Sequence, residues 1–188
     1  MIQITNDQIE RVNLILSGIP GGAQKAFSSV IRRANSTVKA ETVRKITGMY
    51  AISAQRVRAG GNIRAQVQKA DGGVVGTVTF AGYKLPLYRF NVTPTLPIQR
   101  AEVKAAVMRG NGQTPFAHAF IARMKSGHTG MFERETGRSF PVTEFMAQST
   151  AQMAGNEEVL EQVSEKAQET VNKRIEHEIT RILNGYGG

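Results

Sequence analysis

The sequence predicts an α+β fold, in which an antiparallel sheet of four to six strands packs against a long N-terminal helix and a long C-terminal helix. Two observations predict this class. Near both ends of the chain, apolar residues recur at three- and four-residue steps, which is the period of a helix with one buried face. In the middle, apolar and polar residues alternate, which is the period of a strand with one buried face. One face of such a sheet accepts both helices, so residues 1–188 are expected to form a single domain.

The N-terminal part, residues 1–59, is expected to be helical. Asn6 and Asp7 are good caps for a short helix, which Gly18 and the residues after it interrupt. The first long helix is predicted from Ala23 to about Ile46, where apolar residues follow the helical period. Ser53 is expected to cap one further helical turn at residues 54–59.

Residues 62–140 are expected to form the antiparallel sheet. The stretches 62–70 and 74–80 alternate strictly, and Asp71-Gly72-Gly73 between them has the composition of a hairpin turn. Further strands are predicted at 85–92, where Pro86 indicates an edge or a bend, and at 101–108 and 116–125. A short strand is also expected around Met131 and Phe132.

The C-terminal part, residues 143–184, is expected to be helical again. Residues 143–153 predict a weak helix or an irregular lead-in. Asn156 is a strong cap for the final helix, with Glu157 and Glu158 in the first turn, where the helix dipole favours anions. Its predicted buried stripe comprises Leu160, Val163, Ala167, Val171, Ile175, Ile179 and Ile182.

Positive charge is concentrated in the first half of the chain. Residues 1–100 contain 14 Lys and Arg against four acidic residues, whereas residues 101–188 contain 10 against 11. A concentrated basic surface indicates a polyanion or an acidic protein face as partner, with contacts that weaken in salt. The densest run of positive charge spans residues 32–64, in which Glu41 is the single acidic residue. The candidate contact residues in this run are Arg32, Arg33, Lys39, Arg44, Lys45, Arg56, Arg58 and Arg64.

The residue types that carry chemistry are sparse. The chain has no cysteine, which excludes disulfides and thiolate metal sites. The three histidines, His118, His128 and His177, lack the spacing of a zinc site. The sequence therefore predicts a protein that is not an enzyme and that takes no cofactor and no metal. No apolar run reaches the roughly 18 residues needed to cross a bilayer, so a cytoplasmic protein without a membrane partner is expected.

Three segments carry a resemblance to a known family. The loop MKSGHTGMFER, Met124 to Arg134, and the helix end KRIEHEI, Lys173 to Ile179, resemble the minor tail protein Z family of long-tailed phages and prophages. The stretch IRRANSTVKAETVRKITGMYAIS resembles the same family, and the resemblance extends over about residues 30–183.

The resemblance implies a structural virion protein that completes the tail at its head-proximal end. Such proteins assemble as rings, commonly hexameric, around the DNA channel, beside other neck and tail proteins. Their work is to make a head-tail joint through which DNA is positioned and ejected. The implied location is the tail or neck of the virion, and the host cytoplasm during assembly. The family brings no catalytic residues.

For the loop that carries the resemblance, two interpretations stay open. In the first, it is an assembly contact that orders on docking, with candidate residues Lys125, His128, Met131, Phe132 and Arg134. There Met131 and Phe132 provide an apolar anchor. In the second, it is an ordinary turn that leads into a core phenylalanine.

Other functional classes also stay open. The basic run faces either DNA in a channel or an acidic protein face. The principal alternative to a tail protein is a free, basic, architectural nucleic-acid-binding protein with salt-dependent affinity for duplex. A small enzyme whose site forms only between subunits is a further alternative.

Overall fold

A computed structural model describes residues 4, 6–70, 73–97 and 101–185. Helices dominate the two ends of this part of the chain. They are α1 (Asn6–Ile15), α2 (Gly22–Met49), α3 (Ala54–Gly60), α4 (Thr150–Ala154) and α5 (Glu157–Leu183). The strands lie between α3 and α4, and a single 3₁₀ turn, Leu87–Arg89, interrupts them. They are β1 (Asn62–Ala70), β2 (Gly73–Ala81), β3 (Leu85–Pro86), β4 (Asn91–Thr93), β5 (Val103–Ala106), β6 (Thr114–Phe116), β7 (Ala119–Arg123), β8 (Thr129–Arg134), β9 (Val142–Glu144) and β10 (Met146–Ala147).

The α+β class is confirmed, with antiparallel strand pairing and long helices near both ends that pack together. The strands differ from the predicted single sheet in being divided among four small ones. Two sheets have two strands, β1-β2 and β10-β3, and two have three, β4-β5-β6 and β7-β8-β9. All strands but β1 and β2 have only two to six residues.

The chain forms two compact units, which we call unit 1 and unit 2. Unit 1 comprises Met1–Thr42, Ile63–Thr79 and Glu157–Gly188, and unit 2 comprises Val43–Asn62 and Phe80–Asn156, as far as these segments are described. The chain therefore passes between the units four times. Neither unit is a continuous segment of sequence.

Unit 1 is a helical core with a β-hairpin on it. Its buried side chains, drawn from α1, α2, α5 and the turn after α1, are Val12, Leu16, Ala26, Val30, Ala34, Val171, Ile175, Ile179 and Ile182. The β1-β2 hairpin lies on α2 at Gly76, where a β-carbon would collide with Ile31 Cγ2 and would lie 2.8 Å from Asn35 Oδ1. The side chain of Asn35 also donates a hydrogen bond to the carbonyl of Gln66 at 2.9 Å. A glycine is required where the strand crosses the helix this closely.

Unit 2 is held by close backbone approaches and by hydrogen bonds between distant segments. Gly61 lies against Thr150, which is fully buried and donates a hydrogen bond to the carbonyl of Val57 at 3.1 Å. A β-carbon on Gly82 would lie 2.8 Å from the carbonyl oxygen of Gly60. Ser149 caps α4 in a reciprocal capping box with Gln152. These contacts join residues that are up to about 90 positions apart in sequence.

Several predicted elements have different bounds. The predicted third strand at 85–92 is broken by the 3₁₀ turn after Pro86, so it becomes β3 and part of β4. The predicted strand at 116–125 is broken by a turn at residues 117 and 118, so His118 is exposed in that turn. The lead-in at 143–153 contains β9, β10 and α4 in place of one weak helix.

Candidate functional site

The structure divides the basic run between the two units. Arg32, Arg33 and Lys39 on α2 belong to unit 1, as does Arg64 on β1. The other four, Arg44, Lys45, Arg56 and Arg58, belong to unit 2. Closeness in sequence therefore does not show that these eight residues form one surface patch. Each group is described within its own unit.

In unit 1, α2 presents an exposed cationic face. Arg32 and Arg33 are both exposed, and neither guanidinium makes a side-chain hydrogen bond or ion pair with any residue that the structure describes. Lys25 is also exposed, and it lies two helical turns before Arg32 on the same side of the helix. Lys39 lies two turns after Arg32 but is half-buried. Lys25 was not among the predicted contact residues, although its seven-residue spacing from Arg32 was a sufficient signal.

The remaining members of the basic run include some with structural roles. The guanidinium of Arg56 donates a hydrogen bond to the carbonyl of Arg89 at 2.6 Å, which ties α3 to the 3₁₀ turn. Arg44 and Arg64 are exposed but also interact within the chain. Arg58 is exposed without a side-chain partner among the described residues, and Lys45 is half-buried. Exposure and the lack of a described side-chain partner thus coincide at Arg32, Arg33 and Arg58, of which the first two are adjacent on α2.

The loop that carries the family resemblance is the turn of the β7-β8 hairpin and the strand that follows. Lys125, His128 and Arg134 are exposed. Met131 and Phe132 are 0% and 5% exposed, so they are core residues of unit 2. An apolar anchor for a partner must be accessible, so their burial removes Met131 and Phe132 from the predicted assembly contact. That the rest of the loop is an assembly contact stays a prediction.

The base of this turn is fixed by contacts to β9 and β7. His128 Nε2 lies 2.7 Å from Glu144 Oε1, and the imidazole meets the Phe132 ring edge-on at 6.2 Å. Gly130 has no room for a side chain, because a β-carbon there would collide with the carboxylate of Glu144. On the same sheet, the guanidinium carbon of Arg134 lies 4.6 Å from the centre of the Phe120 ring, a cation–π contact. Residues 125–127 form the exposed tip of the turn, where Gly127 has a φ of 85°.

Along α5 the charges are arranged unevenly. In the second half of the helix each acidic side chain has a cation, as in the Arg11–Glu176 pair at 2.6 Å and the Arg181–Glu178 pair at 2.7 Å. Hydrogen bonds from Lys166 and Lys173 lower the pKa of Glu169 to about 2. In the first half, Glu157, Glu161 and Glu165 are exposed and have no side-chain partner among the described residues.

A buried phenol lies at the end of α2. Tyr50 is 2% exposed, and burial raises the pKa of its hydroxyl, while a hydrogen bond with the Asn156 side chain partly offsets this. The backbone of Tyr50 forms an antiparallel bridge with Met108.

No arrangement of metal ligands is found in the described part of the chain, where no three His, Asp or Glu side chains come together. No helix among the described residues has the length and apolar character needed to span a membrane.

Comparisons of the chain with protein-family models, with curated protein sequences and with solved structures find no match.

Proposed function

We propose that the protein is a structural virion component that completes the tail of a long-tailed phage at its head-proximal end. In this role it assembles as a ring around the DNA channel and makes contacts with other neck and tail proteins. The observation that carries the proposal is the resemblance of Met124 to Arg134 and of Lys173 to Ile179 to the minor tail protein Z family.

The location of the first segment supports a binding role for its tip. Lys125 and His128 are presented on a turn whose base is fixed by buried Met131 and Phe132. A fixed base lowers the conformational entropy that a contact must overcome, which favours binding by the exposed side chains. The revised assembly contact is therefore polar, with Lys125, His128 and Arg134 retained and the two apolar residues removed.

The second segment, Lys173 to Ile179, contributes to the stability of unit 1. Ile175 and Ile179 within Lys173 to Ile179 are buried in the core of unit 1, while Lys173 and Glu176 are exposed and form ion pairs. Part of what the resemblance covers is therefore the packing of α5, which maintains the fold on which the surfaces depend.

A second candidate is a basic, architectural nucleic-acid-binding protein. The observation that favours it is the pair of exposed guanidinium groups at Arg32 and Arg33, which have no partner among the described residues. Arginine in such a position is suited to phosphate. This candidate requires salt-dependent binding of duplex DNA by the isolated protein.

The test of the proposed function is deletion of the gene from the phage that encodes it, followed by electron microscopy and infectivity measurements. We expect filled heads with unjoined tails, or joined particles that fail to deliver DNA. Infectious particles of normal appearance would overturn the proposal. Complementation with a Lys125→Glu variant, which leaves the contact between His128 and Glu144 in place, then tests the loop tip. We expect it to reduce infectivity while the purified variant stays folded.

A further inference from the structure

Two exposed sets of like charge in unit 1 lack partners among the residues that the structure describes. The first, which we call the basic face, consists of Lys25, Arg32 and Arg33 on α2. The second, which we call the acidic edge, consists of Glu157, Glu161 and Glu165 on α5. Each occupies one side of a long helix that also has a buried side.

The acidic edge is costly in an isolated chain. Its three carboxylates follow at four-residue intervals, so neighbours are about 6 Å apart along the helix axis. Like charges at this spacing destabilise a helix. The helix dipole favours Glu157 in the first turn, but its effect does not extend to Glu161 and Glu165. The pattern therefore needs an explanation other than helix stability.

The rest of α5 shows that the chain ordinarily compensates such charges. Beyond residue 165, Lys166 and Lys173 flank Glu169, Arg11 pairs with Glu176, and Arg181 pairs with Glu178. The acidic edge stands out because residues 157–165 of the helix contain no lysine or arginine. On α2, likewise, the one acid of the densest basic run is Glu41, well away from Lys25.

We propose that the basic face of one copy docks against the acidic edge of α5 of a second copy. Within the described part of one chain no ion pair joins the two sets, so their charges are complementary only between molecules. A contact between two different surfaces of the same protein is heterologous, and such contacts close into rings or extend into filaments. The inference rests on the proposed function, since it supplies the contact by which the ring forms.

A second copy accounts for more of the structure than DNA does. Phosphates would neutralise the basic face, but the acidic edge would be left without a partner and would be repelled by the duplex. A second copy neutralises both sets with one type of contact. Residues four apart form a ridge along a helix, and such a ridge can pack against a neighbouring helix such as α2.

The decisive experiment is charge exchange between two variants of the whole chain. One carries Arg32→Glu and Arg33→Glu, the other Glu161→Lys and Glu165→Lys, and both change exposed side chains only. A control carries Arg58→Glu and Arg123→Glu, which make the same change of charge in unit 2 at exposed residues without described partners. Circular dichroism checks that each variant is folded.

Sedimentation velocity over a range of concentration and salt measures association. We expect the native chain to associate at low salt and the control to associate equally well. Each charge-reversed variant should have a dissociation constant at least roughly tenfold higher. An equimolar mixture of the two reversed variants should regain association, because reversed α2 of one then meets reversed α5 of the other. A native chain that stays monomeric at low salt, or a mixture that does not regain association, would overturn the inference.

Cross-linking identifies the contact directly. Carbodiimide joins a lysine amine to a carboxylate, so Lys25 of one copy is expected to couple to Glu157, Glu161 or Glu165 of another. Mixing isotopically labelled with unlabelled protein distinguishes links between copies from links within one. Links from Lys25 confined to other acidic residues would contradict the proposed surface.

The same variants separate this inference from its alternatives. Loss of duplex retention by the arginine variant, not regained in the mixture, would show that the basic face binds DNA and would overturn the contact between copies. If the gene deletion leaves phage infectious while charge exchange regains association, the contact stands and the proposed function fails. If the gene deletion gives unjoined tails but the charge-reversed variants associate as the native chain does, the proposed function stands and the contact between copies fails.

Discussion

In unit 1 the buried side chains are mostly aliphatic residues of three long or medium helices, whereas in unit 2 they come from the end of α2, short strands, short helices and loops. Unit 1 excludes water through repeated contacts between helix faces. Unit 2 relies on places where backbones touch, as at Gly82 and Gly60, and on hydrogen bonds such as that from Thr150 to Val57. Repeated contacts tolerate single changes of volume better than a few close approaches do.

The comparison also separates two kinds of surface. Unit 1 has exposed, charged helix faces, on which the helical period places like charges at regular intervals. Unit 2 presents turn tips, as in the β7-β8 hairpin, over a buried base. Helix faces suit broad electrostatic contact, and turn tips suit contact at a point.

The largest expected effect comes from truncating one core side chain in each unit. Ile175→Ala in unit 1 and Met131→Ala in unit 2 should each lower the free energy of unfolding by about 2–5 kcal/mol, because both sites are buried. Far-ultraviolet circular dichroism reports chiefly on the long helices. Tyrosine fluorescence reports largely on unit 2, which contains Tyr50, Tyr83 and Tyr88, three of the four tyrosines of the chain. Since the chain passes between the units four times, both signals should change in one urea transition. Two separate transitions would show that the units unfold independently.

The next effect concerns glycine in unit 2. Gly82→Ala should destabilise the protein by about 1–3 kcal/mol, because the added methyl would meet the backbone of Gly60 and Gly61. Gly48→Ala in α2 is the matched control, since open space surrounds that position. It should stabilise the protein by about 0.4–1 kcal/mol through lower entropy of the unfolded chain. Denaturant midpoints measure both, and a neutral Gly82 variant would contradict the close packing.

A smaller effect is expected at alkaline pH in unit 2. The pKa of Tyr50 is raised in the folded state, so the folded protein binds the proton more tightly than the unfolded chain does. Its contribution is fully present below a pH of about 10 and is lost as the pH rises through the folded pKa. Tyr50→Phe should remove this component of the decline in stability. Absorbance titration of the phenol should show one tyrosine that ionises late, and its absence in the variant assigns it.

The smallest effect is expected at Glu169 on the surface of unit 1. Because the lysines beside it lower its pKa to about 2, its contribution is present above its unfolded pKa and declines as the pH falls toward 2. Glu169→Gln should therefore lose a small part of helix stability near neutral pH and little at acidic pH. The difference should diminish in high salt, since the side chains are exposed. An equal effect of the variant at both pH values would contradict the assignment.

The helices of unit 1 were largely predictable because their signal is local. Helix α2 was predicted from Ala23 to about Ile46 and runs from Gly22 to Met49. The stripe of α5 was right from Val163 onward. At its start, however, Val159 is buried and Leu160 is 51% exposed. The four-residue step back from Val163 gives position 159, so periodicity is a better guide there than the hydrophobicity of leucine.

Unit 2 was predicted less well because its elements depend on distant partners. Strand β3 consists of Leu85 and Pro86 and exists through pairing with β10, about 60 residues later. No local sequence pattern predicts the pairing of two strands this short and this far apart in sequence. The turn that interrupts the predicted strand at 116–125 contains Ala117 and His118, which have no strong turn signal.

The candidate contact residues show the same limit. Exposure of Arg32 and Arg33 follows from the helical period of α2, and the structure agrees. The hydrogen bond from Arg56 to the carbonyl of Arg89 joins distant segments, so charge alone could not distinguish its role. Whether Met131 and Phe132 faced inward or outward depended on pairing with β7, which the sequence left open.

The fourfold passage between units has a consequence for synthesis on the ribosome. Helix α5 supplies Val171, Ile175, Ile179 and Ile182 to the core that α1 and α2 begin. The apolar faces of α1 and α2 therefore emerge early and wait for a segment translated more than 100 residues later. During that interval they are available to chaperones or to the same faces on neighbouring nascent chains. Yield of folded protein should consequently depend on translation rate and on chaperone supply more than the final stability alone would suggest.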